Sequence, residues 1–376
     1  MASEIAAALE ALGVATTFIC LRHDNIDLEI VIRALRSLQS HEGPKFFFDF
    51  NGKVNIHMPH GTEKRQVNLF KEFNIPRFVQ LLDHPAIHHT YLVMDHHKTA
   101  WGVVAPHHQP VAAALSAGND VTFAPHGGPA VPINRPPVPA SRPIEMLFCG
   151  NIADIQPLKD FVGGIVVDPK IREAIERAIA AHLEEGQHLS NALSASFLEV
   201  GLILDAAQFA NAYAAIDQWV VAERRQTMLA SLPKDVNLVL CGSAPAAIEV
   251  PNNTRKLGPT EFSNFLNLAG NSQIVVNSRS PFRDGSHERV FYGLSRGAAI
   301  LTDGNDYLLH SQCGLPIEPY SYSSIAESVD RIRAQTSQRS EEKYQHELET
   351  YGANHTWQTR VGATLDFMID HKILEI

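Results

Sequence analysis

The sequence predicts an α/β protein made of two doubly wound domains, and three observations carry that expectation. Helix-like and strand-like stretches alternate along all 376 residues. Several of the strand-like runs end in a glycine turn, as Cys149-Gly150-Asn151 and Cys241-Gly242-Ser243 do. A breaker-rich segment, Gly127–Pro143 (GGPAVPINRPPVPASRP), holds six prolines and divides the chain. At about 100–200 residues per domain the length suits two or three packed domains. The expected boundaries are 1–140 for an N-terminal Rossmann-like domain, 141–355 for a C-terminal one, and 356–376 for a final helix returning to the first.

In order, Glu4–Leu12 reads as a helix, Val14–Cys20 as a strand and Leu28–Leu38 as a helix. Lys45–Phe50, Arg77–Leu82, Thr90–Met94 and Asp120–Ala124 read as strands. After the breaker segment, Ile144–Cys149 is a strand. Ile171–Leu232, rich in Ala, Glu and Arg with helical spacing, predicts two or three helices as an insertion. Val236–Leu240, Gln273–Asn277 and Ala298–Thr302 are further strands. Ser323–Gln335, Ser340–Tyr351 and Trp357–His371 are helices, the last with a core-facing stripe of Trp357, Val361, Leu365 and either Phe367 or Met368.

Composition excludes several classes. Hydrophobic residues make up 45% of the chain, enough for real cores and against wholesale disorder. A formal charge of −10 argues against non-specific nucleic-acid binding, though not against a local basic pocket for a small anion. No run approaches the roughly 18 apolar residues of a membrane helix. The start carries Glu4 and Glu10 and no basic segment, unlike a secretory signal. Cys20, Cys149, Cys241 and Cys313 are far apart without a CxxC pair, which excludes a disulfide scaffold or zinc ribbon and suits free thiols in the cytoplasm.

Of the 19 histidines, eight lie between His84 and His126. His84 and His88 are four apart, but no partner carboxylate has metal-site spacing, so no metal is expected. His88, His89, His96, His97, His107 and His108 read as surface or half-buried. Asp83, His84 and His126 each follow a strand-like run, so they are expected at strand carboxyl ends, facing the gap between domains.

The most informative stretch is Ile274–Leu308. It reads strand, loop, helix, strand, with the helix from about His287 to Arg296, capped by Asp284 or Ser286 and stopped by Gly297. A helix opening after a glycine loop at a strand's carboxyl end is an anion site, and Arg279, Arg283 and Arg289 crowd it. Ordinary capping with solvated arginines fits the same residues, and both readings stand at this point.

The run GSHERVF…GAAILTDGNDYL resembles the C-terminal domain of bacterial GT-B glycosyltransferases (the glycosyl transferases group 1 type), in the branch that includes the spore-maturation, CgeB-like proteins. The similarity extends through Gly258–Asn277 and His355–Val361, about the last third of the chain. Further forward it rests on LLDHP (Leu81–Pro85) and FAPHGG (Phe123–Gly128). The resemblance implies transfer of a sugar from a nucleotide-sugar donor, such as a UDP- or GDP-sugar, with no other cofactor, usually with retention and without a metal. It implies that Asp284 contacts donor-sugar hydroxyls. Tyr292 stands where the family has a ribose-binding carboxylate, and Glu288 is the substitute. The backbone of Gly285, Ser286 and His287 would hold the diphosphate, with Arg289 or Arg283 adding charge, and Lys256 and Gly258 lie where that family contacts the nucleobase. Gly150-Asn151 would approach the ligand closely, and Gly242 less so. Asp83, His84 and His126 are the acceptor-side candidates, Asp83 or His84 serving as base if the reaction inverts. The acceptor is a glycan, a protein or a small metabolite. That family opens on a strand and glycine turn where this chain opens on a helix, so a trimmed or rearranged N-terminal domain is expected. Two other readings share the site, a sugar-nucleotide epimerase or hydrolase and a non-catalytic nucleotide- or glycan-binding protein.

Overall fold

The computed structural model describes all residues except 18, 20–27, 55–56, 61–64, 166–167, 185, 279–283, 305, 312–313 and 376. The chain forms two compact units: Met1–Gly127 with Trp357–Ile376, and Gly128–Thr356. Each is an α/β layer structure around a parallel sheet.

Unit 1 contains β1 (Phe47–Phe50), β2 (His57–His60), β3 (Arg65–Asn68), β4 (Arg77–Gln80), β5 (Thr99–Val103) and β6 (Asp120–Phe123). Strands β1, β4, β5 and β6 make a parallel sheet in that order, while β2 and β3 form a separate antiparallel pair. Alternate residues cover its two faces, as the two-residue strand period requires. Val79, Leu81, Trp101 and Val103 pack with Leu92, Ala112 and Leu115 on one face. Phe78, Ala100 and Ala124 pack with Met368, Ile373 and Leu374 on the other. The Trp357–Asp370 helix thus belongs to this unit, and its Trp357 and Val361 also meet Ile5, Ala8 and Leu9 of the Ala2–Ala11 helix.

Two expectations for this unit are corrected. Val14–Thr17 and Ile19 are irregular rather than a strand; Phe18 and Cys20 lie outside the described residues. Thr90–Met94 is not a strand either, because His89–Leu92 makes a helical turn after the 3-10 turn Pro85–His88. The strand of that region is β5, whose TAWGV run is wholly buried.

Unit 2 contains β7 (Ile144–Cys149), β8 (Leu238–Cys241), β9 (Arg255–Gly258), β10 (Ser272–Asn277), β11 (Ala299–Asp303) and β12 (Ile317–Tyr320). Its parallel sheet runs β12-β11-β10-β7-β8-β9. Strand order reverses between β7 and β10, which is the switch point of a doubly wound sheet. One face packs Phe148, Leu240, Val276 and Leu301 against Met228, Leu229, Val329 and Ile332. The other packs Leu147, Val239, Val275 and Ile300 against Phe265, Val290, Phe291 and Leu294. Between β7 and β8 the insertion supplies the helices Pro169–Glu184, Leu189–Glu199 and Ala206–Ser231, preceded by Ile155–Ile165. Asp205 and Gln208 close a reciprocal capping box on the longest of them. No described helix is long and apolar enough to cross a membrane.

In unit 1 the fully buried Arg77 pairs with Asp49 at 2.9 Å and lies over the Phe70 ring. Close by, the His96 ring meets Trp101 edge-on at 5.0 Å, with Nε2 3.1 Å from the Leu92 carbonyl. Burial, and then the Arg77 charge, push the His96 pKa from 6.5 down to about 4. As pH falls the unfolded chain therefore takes up this proton first. The contribution is present above about pH 6.5 and is lost towards pH 4. The ring is partly solvated, so about 1–2 kcal/mol is expected. Urea unfolding of His96→Gln should lose that much less stability between pH 7.5 and 5 than the parent chain. An equal loss in both would place the pH sensitivity elsewhere.

Candidate functional site

The candidate site forms in unit 2 where β7, β8 and β10 end. The crevice at the carboxyl edge of a switch point is the place where doubly wound sheets bind ligands. Here the β7 turn is Gly150-Asn151 and the β8 turn is Gly242-Ser243. They interlock through their backbones. The Gly150 amide donates to the Cys241 carbonyl at 2.8 Å, Ile152 N–H donates to the Ser243 carbonyl, and Asn151 Oδ1 accepts from Ser243 N–H at 3.1 Å. Gly242 has φ +116°, and a Cβ there would lie 2.4 Å from the Gly150 oxygen. Only glycine fits such a conformation and approach. Gly242 therefore has a structural task, namely to let the β7 turn sit where it does.

Behind these turns stands the helix Glu288–Ser295. It starts one residue later than the sequence suggests, and its N-cap is His287, not Asp284 or Ser286. The His287 Nδ1 is 3.4 Å from the Arg289 amide nitrogen and 2.8 Å from a Glu288 carboxylate oxygen. The Arg289 amide donates to that ring nitrogen, and at 3.4 Å the cap is a weak one. Ser286 is buried, its hydroxyl directed to the His287 carbonyl at 3.3 Å. Gly285 is buried beside it. Gly297, at φ +70°, ends the helix as the sequence indicates.

Arg289 is the centre of the arrangement. Its residue is 7% exposed, so the guanidinium is buried rather than solvated. Nη1 donates to Asn277 Oδ1 at 3.0 Å, and the guanidinium carbon lies 5.4 Å from the Phe148 ring centroid. Nη2 is 3.1 Å from where a Gly150 Cβ would stand, which explains why that turn carries glycine. Asn277 is held in turn by its Nδ2 donating to Thr302 Oγ1 at 3.0 Å. Burial pushes the Arg289 pKa below its ordinary value, with Glu288, Cys149 and Tyr320 acting against that trend.

A second arginine joins it. Arg225, on the long insertion helix, donates from Nη1 to the Asn151 carbonyl, while its Nε is buried without a partner among the described residues. Burial and the Arg289 charge push its pKa down to about 10. Among the described residues no carboxylate comes within ion-pair distance of either guanidinium. Two cations thus share one crevice, hydrogen-bonded to neutral amide and carbonyl groups with the Glu288 charge near both, which is chemistry suited to an anion.

Asp284 pairs with His188, its Oδ2 lying 3.4 Å from Nε2; both side chains are partly exposed. Arg283 and Arg279 lie outside the described residues. Tyr292 is 4% exposed and packs against Phe262 and Phe265 with ring centroids 4.9 and 6.2 Å away, so it is a core residue and leaves the partly exposed Glu288 as the acidic side chain of this turn. Lys256 projects from the exposed edge strand β9, and Gly258, at φ +71°, closes that strand by accepting the Gly242 N–H.

In unit 1, His84 caps the 3-10 turn, its Nδ1 accepting from Ala86 N–H at 3.2 Å. Its ring meets His108 edge-on at 4.5 Å, and His107 meets His108 at 4.4 Å. Asp83 lies 3.6 Å from His88 Nε2. His126 is buried, with its ring 6.4 Å from Trp357. His88 and His108 are buried too, contrary to the surface reading, because the short turns after β4 and β5 fold them inward. Arg225, Asn277 and His188 were not singled out from sequence. Only Asn277 carried a signal, a polar residue closing the buried run IVVN.

No protein-family model and no curated protein matches the chain. The solved structures it is similar to include the glycosyltransferase AviGT4, involved in avilamycin A biosynthesis, at 11% identity and TM-score 0.47, covering 98% of this chain and 87% of that one. HepE of Anabaena, solved with UDP-glucose, is 10% identical with TM-score 0.46 over 96% of this chain and 88% of that one. WaaG, a glycosyltransferase of lipopolysaccharide biosynthesis, is 11% identical with TM-score 0.42 over 98% and 94%. Likeness of this degree assigns neither a family nor an activity.

The interlocked turns give a direct test. Gly242→Ala meets both an unfavourable φ and backbone atoms, and should destabilise unit 2 by about 3 kcal/mol or more. Gly258→Ala, with a positive φ but open space, should cost about 1 kcal/mol. Denaturant midpoints that rank the two variants the other way would contradict the backbone contact.

Proposed function

We propose that the chain is a glycosyltransferase of GT-B type that binds a nucleotide-sugar donor in unit 2, with the donor's diphosphate at the β7/β10 switch point. The observation that carries this reading is the buried Arg289 guanidinium, which faces the Gly150 turn with an amide and not a carboxylate as its partner. The sequence resemblance around GSHERVF supports the glycosyl part and the CgeB-like branch. Arg289 and Arg225 neutralise the diphosphate, assisted by the Gly285-Ser286-His287 backbone at the helix N-terminus. Negative charge grows on the departing nucleoside diphosphate, so fixed guanidinium charge there lowers the barrier in a metal-independent reaction. Asp284, oriented by His188, receives donor-sugar hydroxyls; Glu288 takes the ribose, and Lys256 with Gly258 the nucleobase. Residues 1–140 supply the acceptor side in this proposal, with Asp83, His84 and His126 as its candidates. Transfer with retention needs no dedicated protein base.

The experiment is thermal unfolding with UDP, GDP, TDP and ADP. Ligand at about a hundred times its dissociation constant stabilises by about 2.7 kcal/mol, a shift of about 5 °C for a unit this size. At least one nucleotide should produce it. Arg289→Gln should remove it, and Arg225→Gln should reduce it at least tenfold in affinity, both without lowering the melting point of the free chain. A chain indifferent to all four nucleotides would falsify the reading. With the preferred nucleotide sugar, product analysis then separates transfer from release of free sugar or isomerised donor.

A further inference from the structure

The two free thiols among the described residues are not independent. Cys149 ends β7 and Cys241 ends β8, and they are direct register partners across the parallel pair. Their side chains leave the sheet on the same face, since each follows Leu147 and Val239 by two residues. The two thiols lie close enough to act on each other's ionisation, and Thr260 acts on that of Cys241. Partners on neighbouring strands have Cα atoms about 5 Å apart, inside the range a disulfide spans. Cys149 is half-buried and Cys241 fully buried, so a small oxidant approaches the pair from the Cys149 side.

We propose that Cys149 and Cys241 form an oxidant-sensitive dithiol in unit 2, closed by peroxide to a cross-strand disulfide and reopened by thiol reductants. The thiolate of one cysteine attacks a peroxide oxygen. The O–O bond breaks, hydroxide leaves, and a sulfenic acid forms. The second sulfur then attacks the sulfenic sulfur, forming S–S and breaking S–OH, and the hydroxyl departs as water with the second thiol's proton. In sum, two thiols and one hydrogen peroxide give one disulfide and two waters. The surroundings favour the thiolate at Cys241 and oppose it at Cys149. The neighbouring Cys149, with Thr260, brings the Cys241 thiol down to about 7, while Cys241 and burial push Cys149 up, the Arg289 charge only opposing that rise.

The test is peroxide treatment of the folded chain followed by non-reducing peptide mapping. A linked Cys149–Cys241 peptide, lighter by two hydrogens, with two titratable thiols lost and both regained on reduction, is the expected result. Cys149→Ser and Cys241→Ser should each abolish the link, and the unoxidised variants should melt as cooperatively as the parent. Oxidation that stops at a single sulfenic or sulfinic acid, that links either residue instead to Cys20 or Cys313, or that leaves both thiols titratable overturns the proposal. Should a serine variant fail to fold, the map of the parent chain still decides. The readout involves no nucleotide, so it stands or fails separately from the glycosyltransferase reading.

Discussion

A buried guanidinium that makes no ion pair with a carboxylate among the described residues is the constraint around which unit 2 is organised. Desolvating a cation costs several kcal/mol even after relaxation, and proteins normally offset it with an ion pair. The same chain shows the usual solution elsewhere, in Arg77 with Asp49 and in Arg339 with Glu347, both pairs buried. Arg289 departs from that solution. Its partners are an amide oxygen, an aromatic ring and a glycine turn, each of which tolerates the charge without cancelling it. A second cation, Arg225, is brought to the same turn, which adds repulsion. An arrangement that raises the free energy of the empty site in this way is consistent with selection for an anionic ligand.

The backbone makes that arrangement possible. The reversal of strand order between β7 and β10 opens the crevice, because the chain leaves adjacent strands in opposite directions. Gly242 then lets the two turns interlock, which fixes Asn151 and its carbonyl in front of Arg225. The Glu288–Ser295 helix is anchored by Val290, Phe291 and Leu294 in the core, so Arg289 stands on a rigid support. Tyr292 takes part in that anchoring through Phe262 and Phe265. Position and charge are thus set by different parts of the sequence: apolar residues and glycines place the groups, and arginines and amides give them their chemistry.

Much of this was legible in the sequence, and the gaps have physical causes. The strand–loop–helix–strand unit from Ile274 onward could be read because each element carries its own periodicity and its own stop signal, such as Gly297. Arg289 was found with it, though not its burial, which depends on Phe148 and Asn277 closing over it. Arg225 could not be found. It sits on an amphipathic helix among other arginines, 64 residues before Arg289, and only the fold brings the two together. The Thr90–Met94 error has a different origin: YLVM has strand composition, but Pro85 and His84 start a helical turn that the short run then continues. His287 displaced the expected caps because an imidazole nitrogen also accepts a hydrogen bond, a rarer choice than serine or aspartate.

The charge balance of the chain does not oppose the acidic ligand proposed for it. A net charge of −10 is spread over solvated side chains, where water and salt screen it within about 8–10 Å. The two guanidiniums act inside the crevice, where screening is weaker and each interaction counts for more. The surface therefore sets solubility and slows encounter with anions, while the crevice sets affinity. A single phosphate would satisfy one guanidinium and leave the other still facing neutral groups. The proposed diphosphate would bring two charged groups to the two guanidiniums and so relieve both desolvated charges and their mutual repulsion. On that proposal a nucleoside diphosphate is favoured over a monophosphate.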